Sequence, residues 1–502
     1  MATTASEYHR ITSYNRHEMK GHWLDWANRP AVYKEYRGED YFPLPHPANL
    51  PRVPFHHLTD LSRQNAPDRQ IHTIEQLSVI LALAYGITGY TRTGGDTFYY
   101  RSAPSAGALY PVEIYLAVKN IDGLGAGLYH YDVSGHKLCL LRPGNVMPFA
   151  DACIEKDRIE SQPHISFFLS AIIFRSAWKY RERAFRYLLL DTGHVLENLS
   201  MALRTEKVLA TVHYDVHGDR ANQLLGLDPK REICFAYVQT ACDKSSDTDA
   251  VKGLDNLPRN IIDAGRVAEI EKTYREIEEI ILASSAFPSH DHHPSDMTHH
   301  LGLSHDGWQQ IERTGLPFSY DFPEAVINRR SRRNFISDEL PENAFFELLS
   351  FLSRAWKPGQ PMFHPVGSVI STGLLVQNVK NVPSGFYLCD FSERRWAHVR
   401  PGHLCGAMAA VCLDQQWLRN AAVHFCFLAN LDQLDQNRGT RGYRYAMLNA
   451  GRLGQRIYLA AGALGLGCCG IGAFYDDEAR TLLGLDRSSA LLYLVAAGTI
   501  KR

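Results

Sequence analysis

Apolar residues along the chain alternate between helical spacing and short strand-like runs, and the whole pattern occurs twice. Thr73 to Tyr85 and Glu342 to Ala355 carry apolar side chains at the three- and four-residue intervals of a helix with a buried face. Each leads into runs rich in β-branched and aromatic residues, IYLAV and GLYHYD in the first half, GLLVQNV and GFYLCD in the second, which predict strands. A long helical pattern follows at 183–205 and 441–464, then a closing strand, EICFAYVQ or LLYLVAAG. Alternating helices and strands with short turns predict a sheet flanked by helices in each half.

The two patterns are copies of one another. Arg183 to Asp228 aligns without a gap on Arg441 to Asp486 at a constant offset of 258. Thirteen of these 46 positions are identical, among them Arg183, Arg186, Tyr187, Gly193 and the Leu224–Asp228 run. Ordinary composition would give about three by chance. The same offset lays Gly127-Leu128-Tyr129 over Gly385-Phe386-Tyr387. The chain is therefore a duplication, read as a first unit over 1–250, a linker over 251–310 and a second unit over 311–502. In the linker, Ile261 to Leu282 predicts one amphipathic helix, followed by SHDHHPSDMTHHLGLSHD. His290, His292, His293, His299, His300 and His305 could ligate a metal, but no carboxylate or cysteine stands at the spacing of a defined site, so a solvated linker is expected.

Composition narrows the class. Hydrophobic residues make up 45% and charged residues 21%, which suits a full core and excludes disorder as the dominant state. Lys and Arg number 53 against 54 Asp and Glu, so the basic surplus of a nucleic-acid binder is missing. No apolar run reaches the roughly 20 residues that span a bilayer, and the N-terminus has no secretory apolar stretch. Ten scattered cysteines without a CxxC pair read as reduced thiols, and the expected location is the cytoplasm.

Four motifs carry candidate chemistry, and each occurs in one half only. Arg329, Ser331 and Arg333 form an R-x-S-x-R pattern before a core helix; two guanidiniums and a hydroxyl suit a phosphate, though a solvated basic turn reads the same way. Pro104, Ser105, Ala106 and Gly107 form a turn of small residues that would let backbone approach a flat ring, where the second half has Phe363, His364 and Pro365. The run Gly465 to Phe474, with Gly470, Ile471 and Gly472, follows a helix; a dinucleotide-binding glycine run must follow a strand, so a loop presenting backbone N–H groups to a ligand is expected. Lys179-Tyr180 is a candidate proton-transfer pair, against Asn437-Arg438 in the second half. The two halves together hold one full set, which predicts a single composite site at their interface.

These residues resemble the FMN-dependent nitroreductase superfamily, over essentially the whole chain and twice. The RSAPSAGALYP and KYRERAFRY stretches, with Tyr8-His9, Trp26, Pro30 and Lys34, resemble its SagB/ThcOx-type branch of azoline-oxidising dehydrogenases. The resemblance implies two α+β nitroreductase-like units, each with an antiparallel-type sheet, fused as an intrachain pseudo-dimer. It implies that Arg329, Ser331 and Arg333, with Lys501 and Arg502, hold the FMN phosphate. It further implies that Pro104 to Gly107 and Gly470 to Gly472 lie against the flavin, and that Lys179 and Tyr180 serve azoline oxidation. One FMN per chain follows, because the first half lacks the phosphate motif and the second lacks the small-residue turn and the Lys-Tyr pair. The implied reaction is oxidation of a thiazoline- or oxazoline-type heterocycle, free or in a peptide, alongside biosynthetic partner enzymes. Alternatives are an NAD(P)H-dependent nitro or quinone reductase and a scaffold protein of a biosynthetic complex.

Overall fold

Nearly unbroken apolar runs build two sheets that are buried on both faces. The computed structural model describes residues 3–19, 21–47, 50–55, 58, 70–93, 96–155, 163–240, 252–285, 300–311, 320–353 and 369–501. The first unit contains β1 (Tyr41–Pro43), α2 (Ile74–Tyr85), β4 (Val112–Val118), β5 (Gly127–Asp132), β6 (Lys137–Pro143), β7 (Ile165–Ile172), α3 (Ile173–Tyr180), α4 (Ala184–Thr205), β8 (Ala210–His213), α5 (Gly218–Leu225) and β9 (Glu232–Thr240). A separate hairpin, β2 (Ile87–Thr93) and β3 (Asp96–Arg101), leads into the small-residue turn. The seven strands pair antiparallel in the order β1-β6-β5-β4-β7-β9-β8. Every position of β4, β5, β7 and β9 is buried, which is why their sequences show little alternation.

The second unit repeats this with β10 (Gln309–Gln310), α8 (Phe322–Asn328), α9 (Glu342–Ser353), β11 (Ser371–Val376), β12 (Gly385–Asp390), β13 (Arg395–Pro401), β14 (Val423–Asn430), α10 (Leu431–Arg438), α11 (Arg441–Ala463), β15 (Gly467–Ile471), α12 (Asp476–Leu483) and β16 (Ser489–Gly498). Its strand order, β10-β13-β12-β11-β14-β16-β15, is the same order in the second half. Even the irregularities repeat at the 258-residue offset: bulges fall at Leu128/Tyr129 and Phe386/Tyr387, and at Leu169/Ser170 and Phe427/Leu428. Helices α5 and α12 both end on a left-handed glycine, Gly226 and Gly484. The α+β duplication read from the sequence is therefore present down to its bulges and caps.

The largest apolar cluster draws on both units through α4 and α11, while the outer faces of the two sheets bury separate clusters. Helix α1 (Ala5–Ile11) straps the units together: the amides of Ala5 and Ser6 donate to Asp435, and the Tyr8 hydroxyl donates to the Glu182 carbonyl at 2.7 Å.

Two expectations for the linker are corrected. Ile261 to Leu282 forms two short helices, α6 (Arg259–Asp263) and α7 (Arg275–Ala283), in place of one. The amides a continuous helix would need are taken by side chains, Val267 N–H by Glu271 at 2.7 Å and Ile270 N–H by Asn28 at 3.0 Å. The end of the His-rich segment is docked: Leu301 is buried, and Asp486 N–H donates to its carbonyl at 2.9 Å. His290, His292, His293 and His299 lie outside the described residues, among which no group of three His, Cys, Asp or Glu side chains could hold a metal ion. No helix among the described residues is long and apolar enough to cross a membrane.

Candidate active site

Two glycines set the distance between the units. Gly193 of α4 and Gly451 of α11, one offset apart, face each other where the two helices cross. A methyl group on Gly193 would overlap the Leu448 carbonyl oxygen, and one on Gly451 would overlap that of Leu190, the same contact with the units exchanged. Absent side chains at this crossing bring the helices close enough for residues of both to wall one space.

That space is a cavity of about 170 Å³, open to solvent. Pro104, Ser105, Ala106, Gly107 and Tyr180 line it from the first unit, and Ser331, Arg333, Gly470, Ile471 and Gly472 from the second. Ten of the residues singled out in the two halves thus line one space, and Arg329 is not among its lining residues. Lys179 abuts it through Gly107: a β-carbon there would lie 2.8 Å from the Tyr180 hydroxyl and 3.2 Å from Lys179 Nζ. Arg502 lies outside the described residues. Lys501 is exposed and is not among the lining residues; its backbone pairs with Asn334, next to Arg333.

The small-residue turn has a left-handed backbone at Gly107, Ala108 and Tyr110, with φ of 63°, 54° and 48°. Asp191 of α4 holds it, accepting from Ser105 Oγ at 2.5 Å and from Ala106 N–H at 3.2 Å, while Tyr110 N–H donates to Ser105 Oγ at 2.9 Å. Burial pushes the Asp191 carboxyl up to about 7, against the Ser105 and Ala106 hydrogen bonds. Helix α3 stops at Tyr180 because Arg181 turns left-handed, with φ of 51°. Tyr180 lies on Tyr187, ring centroids 4.1 Å apart. Burial, then Arg333, lowers Lys179; burial, then Tyr187, raises Tyr180.

In the second unit, Arg329 is buried and donates to the carbonyls of Ser102 at 2.8 Å and Arg101 at 3.1 Å, anchoring the entry to the turn; its Nη1 has no partner. Ser331 Oγ lies 2.9 Å from the Tyr458 hydroxyl, which accepts from Gly470 N–H at 2.7 Å. The glycine run is corrected from loop to strand: Gly467–Ile471 is β15, an edge strand paired antiparallel with β16 on one side. Gly470 must lack a side chain because the Tyr493 hydroxyl occupies that space. Past the strand, the Gly472 carbonyl accepts from Arg183 and from the Tyr187 hydroxyl, both at 3.1 Å.

Sequence reasoning missed Asp191, His194, Tyr187, Tyr458, Cys469 and Tyr493, which also line the cavity. His194 lies 3.0 Å from the Tyr493 hydroxyl and 2.9 Å from Gln455, and burial pulls it down to about 3, so it is neutral. The duplication held the signal. At the offset, Asp191 faces Asn449, His194 faces Arg452 and Gly472 faces Tyr214.

The side chains at these counterpart positions bond to one another. Buried Tyr214 donates its hydroxyl to Asn449 at 2.8 Å and accepts from Arg452 at 3.0 Å. Glu197 accepts from Arg452 at 2.7 Å and from Arg456 at 2.6 Å, with all three side chains buried. Phe363, His364 and Pro365 lie outside the described residues.

Comparison with known proteins agrees with this construction. The Nitroreductase family is matched over residues 69–238 and again over 326–499. The nitroreductase-like protein MJ1384 of Methanocaldococcus jannaschii is 33% identical over 141 residues, 28% of this chain and 67% of that protein. The trifolitoxin-processing protein TfxB of Rhizobium leguminosarum bv. trifolii is 26% identical over 220 residues, 42% of this chain and 59% of TfxB. The crystal structure of a nitroreductase-like protein of Anabaena variabilis superposes with a TM-score of 0.79 at 24% identity, covering 99% of this chain and 100% of that one, a likeness of fold. With a match in each half, together covering most of its length, the chain belongs to the nitroreductase family and carries two units of it in tandem.

Proposed function

We propose that this protein binds one FMN per chain in the composite cavity and uses it to dehydrogenate a thiazoline- or oxazoline-type ring in a modified-peptide or natural-product pathway. One observation carries the reading: the turn of the first unit, the β15 strand of the second and the Lys179–Tyr180 pair meet around a single cavity. The cavity fits such a group. Arg329 offers a buried Nη1 donor without a partner, beside Ser331 and Arg333, a donor set suited to a phosphate. Ser105 to Gly107 and Gly470 present backbone where a flat ring would need close approach. The relationship to TfxB, named for processing trifolitoxin, supports the SagB/ThcOx-type assignment and partner enzymes of that kind.

FMN, when bound, supplies a two-electron acceptor that takes hydride from a substrate carbon. The chain supplies orientation and the proton's destination. Lys179 is assigned as the base: burial and then Arg333 lower its proton affinity, and its Nζ lies beside Gly107 at the cavity wall. Tyr180, whose phenolate burial disfavours, stays protonated and donates a hydrogen bond. Asp191 holds the turn, and neutral His194 fixes the Tyr493 hydroxyl over Gly470.

A reductase that draws electrons from NADH or NADPH is the second reading, favoured by the likeness to MJ1384. The deciding experiment measures the FMN-to-chain ratio of purified protein and then turnover of a thiazoline-bearing peptide. A ratio near one, lowered by Arg329→Ala, is expected, with losses of roughly 10²- to 10⁴-fold in kcat for Lys179→Ala and Tyr180→Phe while FMN stays bound. Rapid bleaching by NADPH without thiazoline turnover would favour the reductase. No flavin after reconstitution would overturn both readings.

A further inference from the structure

One buried ionisable group in the cavity holds the turn yet takes no part in the proton transfer proposed above. Asp191 sits on α4 and is 4% exposed, and its recorded hydrogen bonds come from the turn: Ser105 Oγ–H at 2.5 Å and Ala106 N–H at 3.2 Å. Ser105 links the carboxyl to the far end of the turn, donating to Asp191 and accepting from Tyr110 N–H at 2.9 Å. The same turn carries three left-handed residues, Gly107, Ala108 and Tyr110, a backbone that non-glycine residues adopt only when something holds them there. Gly107 is the residue that touches Lys179 and Tyr180. The chain of contact therefore runs from Asp191 through Ser105 and Ala106 to Gly107 and the Lys179–Tyr180 pair.

We infer that Asp191 is a positioning residue: its carboxylate clamps the strained 105–110 turn and so fixes the spacing between the cavity and the Lys179–Tyr180 pair. The inference rests on the composite-site reading above. An ionised carboxylate accepts from both donors in charge-assisted bonds, whereas the protonated acid is a weaker acceptor and gives up that charge assistance. With the carboxyl raised to about 7, the clamp forms fully above neutrality and loosens below it. The groups facing it are Tyr85 of α2, Tyr110 of the turn, Tyr180 of α3, His194 of its own helix and Tyr493 of β16, with Arg333 on the far wall. The tyrosines are raised and His194 is held near 3, so none of these changes charge between pH 6 and 8. Lys179 is lowered and lies beyond Gly107, and a Lys179→Met background removes its titration. The aligned position in the second unit is Asn449, an amide whose carbonyl serves one donor, Tyr214.

Hydrogen exchange of the apoprotein reads the clamp without any cofactor. In the peptide spanning residues 102–111, Asp191→Ala and Ser105→Ala should exchange about tenfold faster than wild type at pH 8, the loss of a charge-assisted bond, with Asp191→Asn intermediate. In wild type, exchange corrected for its intrinsic pH dependence should quicken from pH 8 to pH 6, and in Asp191→Asn it should not. FMN titrations by fluorescence quenching should follow the same order, with Kd weakened about tenfold in Asp191→Ala at pH 8. Unchanged exchange of 102–111 in Asp191→Ala overturns the inference, whatever FMN does. If exchange responds as expected but wild type binds no FMN at either pH, the clamp stands and the flavin reading falls.

Discussion

Replacing Gly193 by alanine tests whether the helix crossing holds the composite site together. An added methyl group would overlap the Leu448 carbonyl and lie 3.0 Å from both Arg452 N and Gly451 Cα. All three are backbone atoms on α11, so no side chain can swing away. Restoring a carbon contact of about 3.5 Å requires the helices to part by roughly 1 Å. Overpacking of this kind costs about 1–3 kcal/mol, and the absence of a flexible neighbour places Gly193→Ala at the upper end. Alanine's better helix propensity returns about 1 kcal/mol, leaving a net loss of about 2 kcal/mol. The internal control is Gly462→Ala on α11, an exposed position with nothing within 4 Å, where the propensity gain stands alone. Thermal unfolding should place Gly193→Ala about 2 °C below wild type and Gly462→Ala about 1 °C above it. Asp191 and His194 flank Gly193 and line the cavity, so the same shift should weaken FMN binding in the first variant alone. Equal stability and equal FMN affinity for the two variants would show that the crossing is not tight and would refute the argument.

Three further outcomes follow from the contacts. Glu197→Gln leaves Arg452 and Arg456 buried without their carboxylate and should cost about 3–5 kcal/mol in urea unfolding; a loss below 1 kcal/mol would mean the two guanidiniums do not depend on this carboxylate. Burial alone would raise Asp476, but Arg183 and Arg186, at 2.7 Å each, more than reverse this and hold it well below its usual 3.8. A depressed folded value stabilises above the unfolded one, so the contribution is intact at neutral pH and drains away as pH falls below 3.8; Asp476→Asn should flatten that acid limb of the stability curve. Gly472→Tyr, which copies Tyr214 into the open site, should abolish FMN retention, whereas Tyr214→Gly should leave the ratio at one, because Glu197 still holds Arg452 and Arg456 there.

The fold was legible because a duplication doubles every weak signal. One set of strand-like runs predicts a sheet loosely, but the same runs recurring at a fixed offset predict the same sheet twice, and the repeated bulges at Leu128/Tyr129 and Phe386/Tyr387 show how faithfully the copies were kept. Pro104 to Gly107, Ser331, Arg333 and Gly470 to Gly472 were legible because each motif breaks the repeat in one half. Asp191, His194, Tyr458 and Tyr493 escaped for a different reason. They lie on elements that read as ordinary core helix and strand, and the cavity touches them only after α4 and α11 have crossed. The break at Ile261–Leu282 was invisible for a similar reason, since one competing acceptor, Asn28, lies 242 residues away in the chain, and the other, Glu271, sits within the helical pattern itself.

The asymmetry between the half-sites follows from joining two units in one chain. Two identical subunits related by a two-fold axis must build both interface sites alike, because any residue that closes one closes the other. Here each half answers for different walls, so Gly472 can leave one space open while Tyr214, at the aligned position, bonds to Asn449 and Arg452. That bonding is itself constrained. A buried carboxylate facing two guanidiniums is poor evidence for net stability, yet every member has a partner, and removing any one strands the rest. At the open site the ionisable groups are held apart on separate walls, Lys179 beside Gly107, Asp191 beneath Ser105 and Arg333 across the cavity. Separated charges keep their proton affinities responsive to whatever enters, which is the condition a site needs if it is to move a proton.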